Sequence, residues 1–186
     1  RKHLLATLLI AIVPLAGQAG GIVVSDDAVP FEGHHYKVIN AKGIDWQSAN
    51  SAAMNSEFMG VTGRLATITS AAEDQFLDQL RTAAMGSKEA WVGGRQNKSL
   101  CTAEQLASPT LSPGCGWIWN NGEGPISTPQ VPLPSYSNWQ ASEPNDLGSE
   151  VYLGIGLNGE FGWNDEQALS LIGGYVIEFD TAVPVT

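Results

Sequence analysis

The stretch from Glu143 to Asp165 gathers Glu143, Asn145, Asp146, Glu150, Asn164 and Asp165, six side chains with carboxylate or amide oxygens, around one expected hairpin. Calcium takes about six to eight oxygen ligands at roughly 2.3 to 2.6 Å and favours carboxylates and carbonyls. No Cys or His stands among the six, a composition that argues against zinc. The chemistry to expect from this stretch is the holding of a hard cation.

Spacing adds to composition. Pro144 separates two of the candidates, and an X-Pro bond takes the cis form at a cost of only about 0.5 to 1 kcal/mol. In that form the flanking side chains point outward together, so Glu143 and Asn145 can grip one ion. Val151, Leu153, Ile155 and Leu157 then alternate with smaller or polar residues, and Asn158 with Gly159 signals a two-residue type I′ hairpin turn. That turn sets Tyr152 opposite Asp165. Glu150 and Asp165 then lie diagonally on one face, about 7 to 8 Å apart at the backbone, a gap one ion can bridge. Asn164 falls on the other face. For Asn164 and Asp165 both to be ligands, the strand must kink or supply a backbone carbonyl.

Other elements have to hold this hairpin in place. Gly33 to Asn40 reads as a strand with Tyr36, Val38 and Ile39 apolar. His34 and His35, at its start, have no Cys or third His at ligand spacing and read as surface residues. Asp45 caps a helix expected to run to about Phe58, with Trp46, Ala49, Ala53 and Met54 on one face. Arg64 to Ile68 is extended. Ser70 with Glu73 forms a capping box for a second helix, whose buried stripe is Phe76, Leu77, Leu80 and Ala84. Trp91 to Gly94 and Gly116 to Trp119 read as strands, the latter ended by a turn at Asn120, Asn121 and Gly122. From Gly122 to Gly148, prolines at 125, 129, 132, 134 and 144 exclude regular structure. A loop of that length inside a compact domain is usually functional or disordered, and Tyr136 and Trp139 are aromatics that anchor this one. Gly174 to Asp180 supplies a last strand.

The 186 residues suffice for one well-buried domain and not for two substantial ones. Arg1 and Lys2 precede an apolar run from Leu4 to Ala16 and small residues at 17, 19 and 20, the pattern of a secretory signal peptide cleaved after Ala19. A membrane anchor needs roughly 20 apolar residues. The expected division is a signal peptide at 1–19, a lead at 20–32, the domain at 33–180 and a tail at 181–186. The leader carries two of nine basic residues and none of the 19 acidic ones, so the exported chain has a net charge of −12. That surface disfavours nucleic acid and anionic lipid and leaves a neutral ligand or a cation as partner. The mature domain is expected to be secreted, periplasmic or at the cell surface, without membrane insertion. Two cysteines in an exported chain point to one disulfide, Cys101 with Cys115, stapling the intervening loop at about 3 kcal/mol in the chain-entropy model.

Taken in order, the Trp46 helix, Leu65 to Ile68 before the capped second helix, the Trp91 to Gly94 strand, Trp139 leading into Glu143, Pro144 and Asn145, then Trp163, Asn164 and Asp165, and a last strand ending in Ile177 and Glu178 resemble a C-type lectin domain. The resemblance spans about residues 33 to 180. It implies an α+β fold: two helices packed on antiparallel sheets, paired termini, and a long loop carrying the ligand site. It implies that Glu143, Asn145, Glu150, Asn164 and Asp165 hold one Ca2+, Asp165 through side chain and backbone. It also implies that Glu143, Asn145, Glu150 and Asn164 contact a sugar whose adjacent hydroxyls complete the calcium shell. The Glu, Pro, Asn sequence resembles members preferring mannose, glucose, N-acetylglucosamine or fucose. Such sites are shallow, and an oligomer would supply avidity. The family's four framework cysteines are replaced, near Ala53, Val151, Ala168 and Ile177, which sets the chain nearer to exported bacterial variants than to animal receptors.

The leading expectation is a secreted, calcium-dependent carbohydrate-binding protein and not an enzyme. The alternative is a lectin-like adhesion or matrix domain that binds protein without sugar. A glycoside hydrolase needs two carboxyls about 5 to 9 Å apart, one of them with a raised pKa; Glu143 and Glu150 can lie that close, but sharing a cation holds both ionised.

Overall fold

The structure, a computed structural model, describes residues 27–180; the signal-peptide reading at 1–19 and the tail at 181–186 lie outside it. Ten strands and three helices follow one another as β1 (Val29–Phe31), β2 (His34–Ile44), α1 (Trp46–Met54), β3 (Glu57–Phe58), β4 (Val61–Thr62), β5 (Arg64–Leu65), α2 (Ala71–Met85), β6 (Ala90–Gln96), α3 (Ala103–Ala107), β7 (Trp117–Trp119), β8 (Glu150–Ile155), β9 (Trp163–Gln167) and β10 (Ile172–Asp180). The main sheet runs β1-β2-β10-β6-β8-β9, with β5 added on β10 and β7 on β6. All its pairings are antiparallel except β10 with β6, where Gly174 faces Ala90 and Tyr175 faces Trp91. Long antiparallel pairing of β10 with β2 brings the two ends of the domain side by side. The structured part starts before residue 33, since β1 forms a hairpin with β2.

Period-two alternation along β10 divides the core. Val176 joins Leu77, Leu80 and Met85 of α2 with Tyr36, Val92, Trp117, Trp119, Leu153, Ile155 and Trp163. Tyr175, Ile177 and Phe179 join Trp46, Ala49 and Ala53 of α1 with Leu65 and Trp91. Ala53 and Ile177, where the resemblance expects cysteines, are thus buried in one apolar cluster. Two indole nitrogens tie this layer to the sheet: Trp46 Nε1 donates to Val92 O at 2.8 Å and Trp91 Nε1 to Ile44 O at 2.8 Å.

Several local expectations change. The first helix stops at Met54, where Asn55 leaves the helical conformation, its side-chain amide caps Ser51 O at 2.8 Å and the Ser56 amide tightens onto Ala53 O at 3.0 Å. The chain then turns through left-handed Met59 and Gly60 into the β3–β4 ribbon instead of continuing helically to Phe58. Met54 is 59% exposed rather than packed, lying on the last helical residue at the edge of the apolar face. Ser70 caps α2 as expected, accepting from Glu73 N. The Glu73 carboxylate does not complete the capping box: it takes the Thr69 amide at 2.7 Å and the Tyr36 hydroxyl at 2.6 Å.

Gly174 crosses so close to β2 that an added Cβ would collide with the Ile39 carbonyl oxygen. Gly174→Ala is expected to cost about 3 kcal/mol, because backbone on both sides must move to admit the methyl group. Urea unfolding checks it, and an unchanged midpoint would show that the two strands can separate freely.

Candidate functional site

Residues 122–148 carry neither helix nor strand beyond single bridges at Pro125 and Trp139. They are nevertheless held at three depths. Trp139 bridges Trp163, with Trp163 N donating to Asn138 O at 2.8 Å and Gln140 N to Trp163 O at 2.9 Å. The Trp139 indole donates to Ser127 O at 2.8 Å. Below them, buried Asp74 of α2 accepts from Trp163 Nε1, Tyr136 OH and Asn138 Nδ2 at 2.9, 2.9 and 2.7 Å. Burial pushes the Asp74 carboxyl up, and those three donors pull it back. Asp74 was not among the residues singled out from sequence, because its partners stand 62 to 89 positions away.

Anchored this way, the loop delivers Glu143, cis-Pro144 and Asn145 to the end of β9. Asp165, fully buried, accepts from the amides of Asn145 and Asp146 at 3.0 and 2.8 Å. Asn145 Nδ2 donates to Glu143 Oε2 at 2.6 Å. The Leu147 amide donates to Asn145 Oδ1 and to Glu150 Oε2, both at 2.8 Å. Glu143, Asn145, Glu150 and Asp165 therefore converge on one short stretch of backbone.

The hairpin beneath them differs from the two-residue form. Gly156 N closes on Gly162 O at 3.0 Å, and the turn between them contains left-handed Gly156, Asn158, Gly159 and Gly162. Leu153, not Tyr152, faces Asp165, and Tyr152 faces Glu166. This one-residue slip transfers Asp165 to the buried face. A bulge between Glu150 and Tyr152 then restores Glu150 to a position opposite Gln167, and the extra residue re-aims its carboxylate toward Asp165. Asn164 is the member that stands apart. It faces the other side of β9, with Nδ2 on Glu166 Oε1 at 3.1 Å.

An oxygen-ligated cation fits this donor set. Every ligand atom on offer is a carboxylate or amide oxygen, and Asp146 Oδ1 is buried without a hydrogen bond. Burial and then Asp165 push both Glu143 and Glu150 up to about 7, as expected of carboxylates crowded together. Lys98 Nζ reaches Asp146 Oδ2 at 2.7 Å and ties the disulfide-bearing loop to the same place. The Cys101–Cys115 bridge is formed, with Cα atoms 5.5 Å apart.

No family model matches the sequence. The chain is 26% identical over 158 residues to halomucin of Haloquadratum walsbyi, a match taking in 83% of this chain and 2% of that protein. Its structure is similar to the C-type lectin CEL-I from Cucumaria echinata, at 17% identity and a TM-score of 0.62, covering 85% of this chain and 98% of that one. It is similar also to the C-type carbohydrate-recognition domain of cow CD23, at 23% identity and 0.58, covering 87% and 98%. Herring type II antifreeze protein matches at 18% identity and 0.58, covering 84% and 98%. The chain has the C-type lectin-like fold.

Within this lectin-like domain, the histidine and acid ligand atoms that lie within 4.8 Å of one another among the described residues are those of His34, Glu178 and Asp180, not of the Glu143 cluster. Arg64 already bridges that trio, donating to Glu178 Oε1 at 2.8 Å and to Asp180 Oδ2, so a side-chain cation is in place. His34 Nδ1 sits 2.9 Å from Glu178 and 3.0 Å from Asp180. It is a surface residue as read from sequence, its side chain 40% exposed, and its contacts also help join β2, β5 and β10. Among the described residues, no helix is long and apolar enough to cross a membrane.

A pH dependence follows from the crowded carboxylates. In chelator, Glu143 and Glu150 take protons near pH 7 when folded and near their ordinary 4.5 when unfolded. The folded state holds more protons across that window, so its stability is greatest below about pH 4.5 and falls as pH rises to about 7. Asp180, held low by Arg64, and Asp45, held low by Ser48, oppose this only at more acid pH. Melting temperatures in chelator from pH 4 to 8 should decline through the window and be restored by calcium. A flat profile would rule out the crowding.

Proposed function

We propose that the chain is an exported, calcium-dependent carbohydrate-binding domain, with Glu143, Asn145, Glu150 and Asp165 as the ion's ligands; Asn164, the fifth ligand that the family resemblance implies, faces the other side of β9. The reading favours sugars of the mannose, glucose or fucose type. The observation that carries it is the convergence of Glu143, Asn145, Glu150 and Asp165 on one stretch at the open end of the sheet, on a loop pinned from below by Asp74. A bound calcium ion would supply open coordination positions for two adjacent hydroxyls. The side chains around it would share out the remaining work: Glu143 and Glu150 accept from the sugar, and Asn145 donates. Leu147, 73% exposed beside them, offers an apolar surface to the C–H face of a ring. Structural likeness to CEL-I and to the CD23 carbohydrate-recognition domain supports this use of the fold. The antifreeze neighbour keeps the second reading alive, a lectin-like adhesion domain that binds without sugar.

A glycan array with and without chelator separates the two readings. Asn145→Asp is expected to lower sugar affinity about tenfold or more while changing calcium affinity much less, because it adds charge to the ion's shell and removes the amide donor. Calorimetry showing equal losses of both would overturn that division of roles.

A further inference from the structure

We propose a second, separate cation site on the opposite face of β8 and β9, formed by Glu89, Glu166 and Asn164 and suited to a hard divalent ion such as calcium. Asn164 and Glu166 alternate with Trp163 and Asp165 along β9, so they face away from the Glu143 cluster. Glu89, just ahead of β6, reaches under β8 to meet them. It is only 8% exposed, yet its Oε1 makes no hydrogen bond. A buried carboxylate oxygen without a partner is costly to keep. The sequence makes room for it deliberately: residue 154, opposite Asn164, is glycine, and a Cβ there would collide with Glu89 Oε1.

Among the described residues, buried Arg81 favours the Glu89 carboxylate through space but makes no hydrogen bond to it. Arg81 spends its guanidinium on Asp78, Thr82 and the carbonyls of Gly86 and Lys88. Glu166 is braced by the Ser170 hydroxyl on one oxygen and the Asn164 amide on the other. Half a turn of the Asn164 amide about its last torsion would present Oδ1 in place of Nδ2. Three oxygen-bearing side chains would then face one point, two of them carboxylates, with Asn164 and Glu166 from β9 and Glu89 from the segment ahead of β6. Of the residues that converge beside Asp165, none takes part in this site, and Asn164 faces Glu166 rather than them, so the site stands whether or not the domain binds sugar.

Calcium titration of the full chain by calorimetry, with terbium luminescence sensitised by the neighbouring tryptophans, tests it. If both sites exist, the wild type takes up two ions and Glu89→Gln and Glu143→Gln take up one each. If the Glu89 site exists without the other, wild type and Glu143→Gln bind one and Glu89→Gln binds none. At the Glu89 site the affinity should fall by about 100-fold in Glu89→Gln, the upper end of the loss for disturbing even an outer metal partner. Glu89→Gln should remain folded in chelator, because it relieves two facing carboxylates. Gly154→Ala, which displaces Glu89 Oε1, should reproduce the loss and serves if the first variant fails to fold. Unchanged stoichiometry and affinity in both variants, or no ion left after Glu143→Gln, would overturn the proposal and leave Glu89 and Glu166 sharing a proton.

Discussion

Asp165→Ala is expected to abolish calcium uptake at the Glu143 site and to lower stability by about 2 to 4 kcal/mol. Its carboxylate lies at zero exposure and accepts two backbone amides, from Asn145 and Asp146. Hydrogen bonds to a charged group contribute about 1.5 to 3 kcal/mol each, and part of that is returned because Glu143 and Glu150 lose a repelling neighbour. The loss should be local: amide exchange at residues 143 to 150 rises, while the β2–β10 pairing keeps its protection. Calorimetry with calcium and hydrogen exchange together check this. A variant that still binds calcium at the Glu143 site with native affinity, taking up as many ions as the wild type, would remove Asp165 from the ligand set, and one whose loop stays protected would remove it as the loop's clamp.

Asp74→Ala should be the more destabilising of the two, by about 3 to 5 kcal/mol, although Asp74 lies outside both proposed ion sites. Truncation orphans three donors at once, and the Trp163 indole among them is fully buried and cannot turn to water. An unsatisfied buried donor costs about 1 to 3 kcal/mol, and the half-buried Tyr136 and Asn138 recover part of their share from solvent. Because Asn138 and Trp139 pair with Trp163, the loop should detach as a unit and carry Glu143 with it. Chemical unfolding, limited proteolysis between 130 and 150 and a calcium titration form the check. Lowered stability with an unchanged calcium affinity would mean that the loop is held from elsewhere.

Much of the architecture could be read from the chain because it is written in short-range patterns. Apolar residues at helical spacing marked Ala49 and Ala53 of α1 and Leu77 and Leu80 of α2, and all four are buried. Ser70 and Asp45 announced both helix starts, and each accepts the amide three residues on. Five prolines marked the long loop as irregular, and Tyr136 and Trp139 are the aromatics that pack it down. The misreadings share a cause as well. Asn158-Gly159 fits a two-residue turn in isolation, but Gly156 and Gly162 widen it to a seven-residue loop. Since side chains alternate with a period of two, that one step changes which residue Asp165 faces.

From its sequence alone the protein had its fold class, its disulfide and the oxygen-rich stretch 143–165 determined, since each rests on residue type and near spacing. Tertiary structure decided how those oxygens divide: Glu143, Asn145, Glu150 and Asp165 on one face, Asn164 with Glu166 and Glu89 on the other. It also decided that Asp74 would carry the loop and that His34 would meet Glu178 and Asp180, 144 and 146 positions along the chain. Those choices depend on loop width, a single bulge and contacts between distant segments, and only the folded sheet brings these into one place.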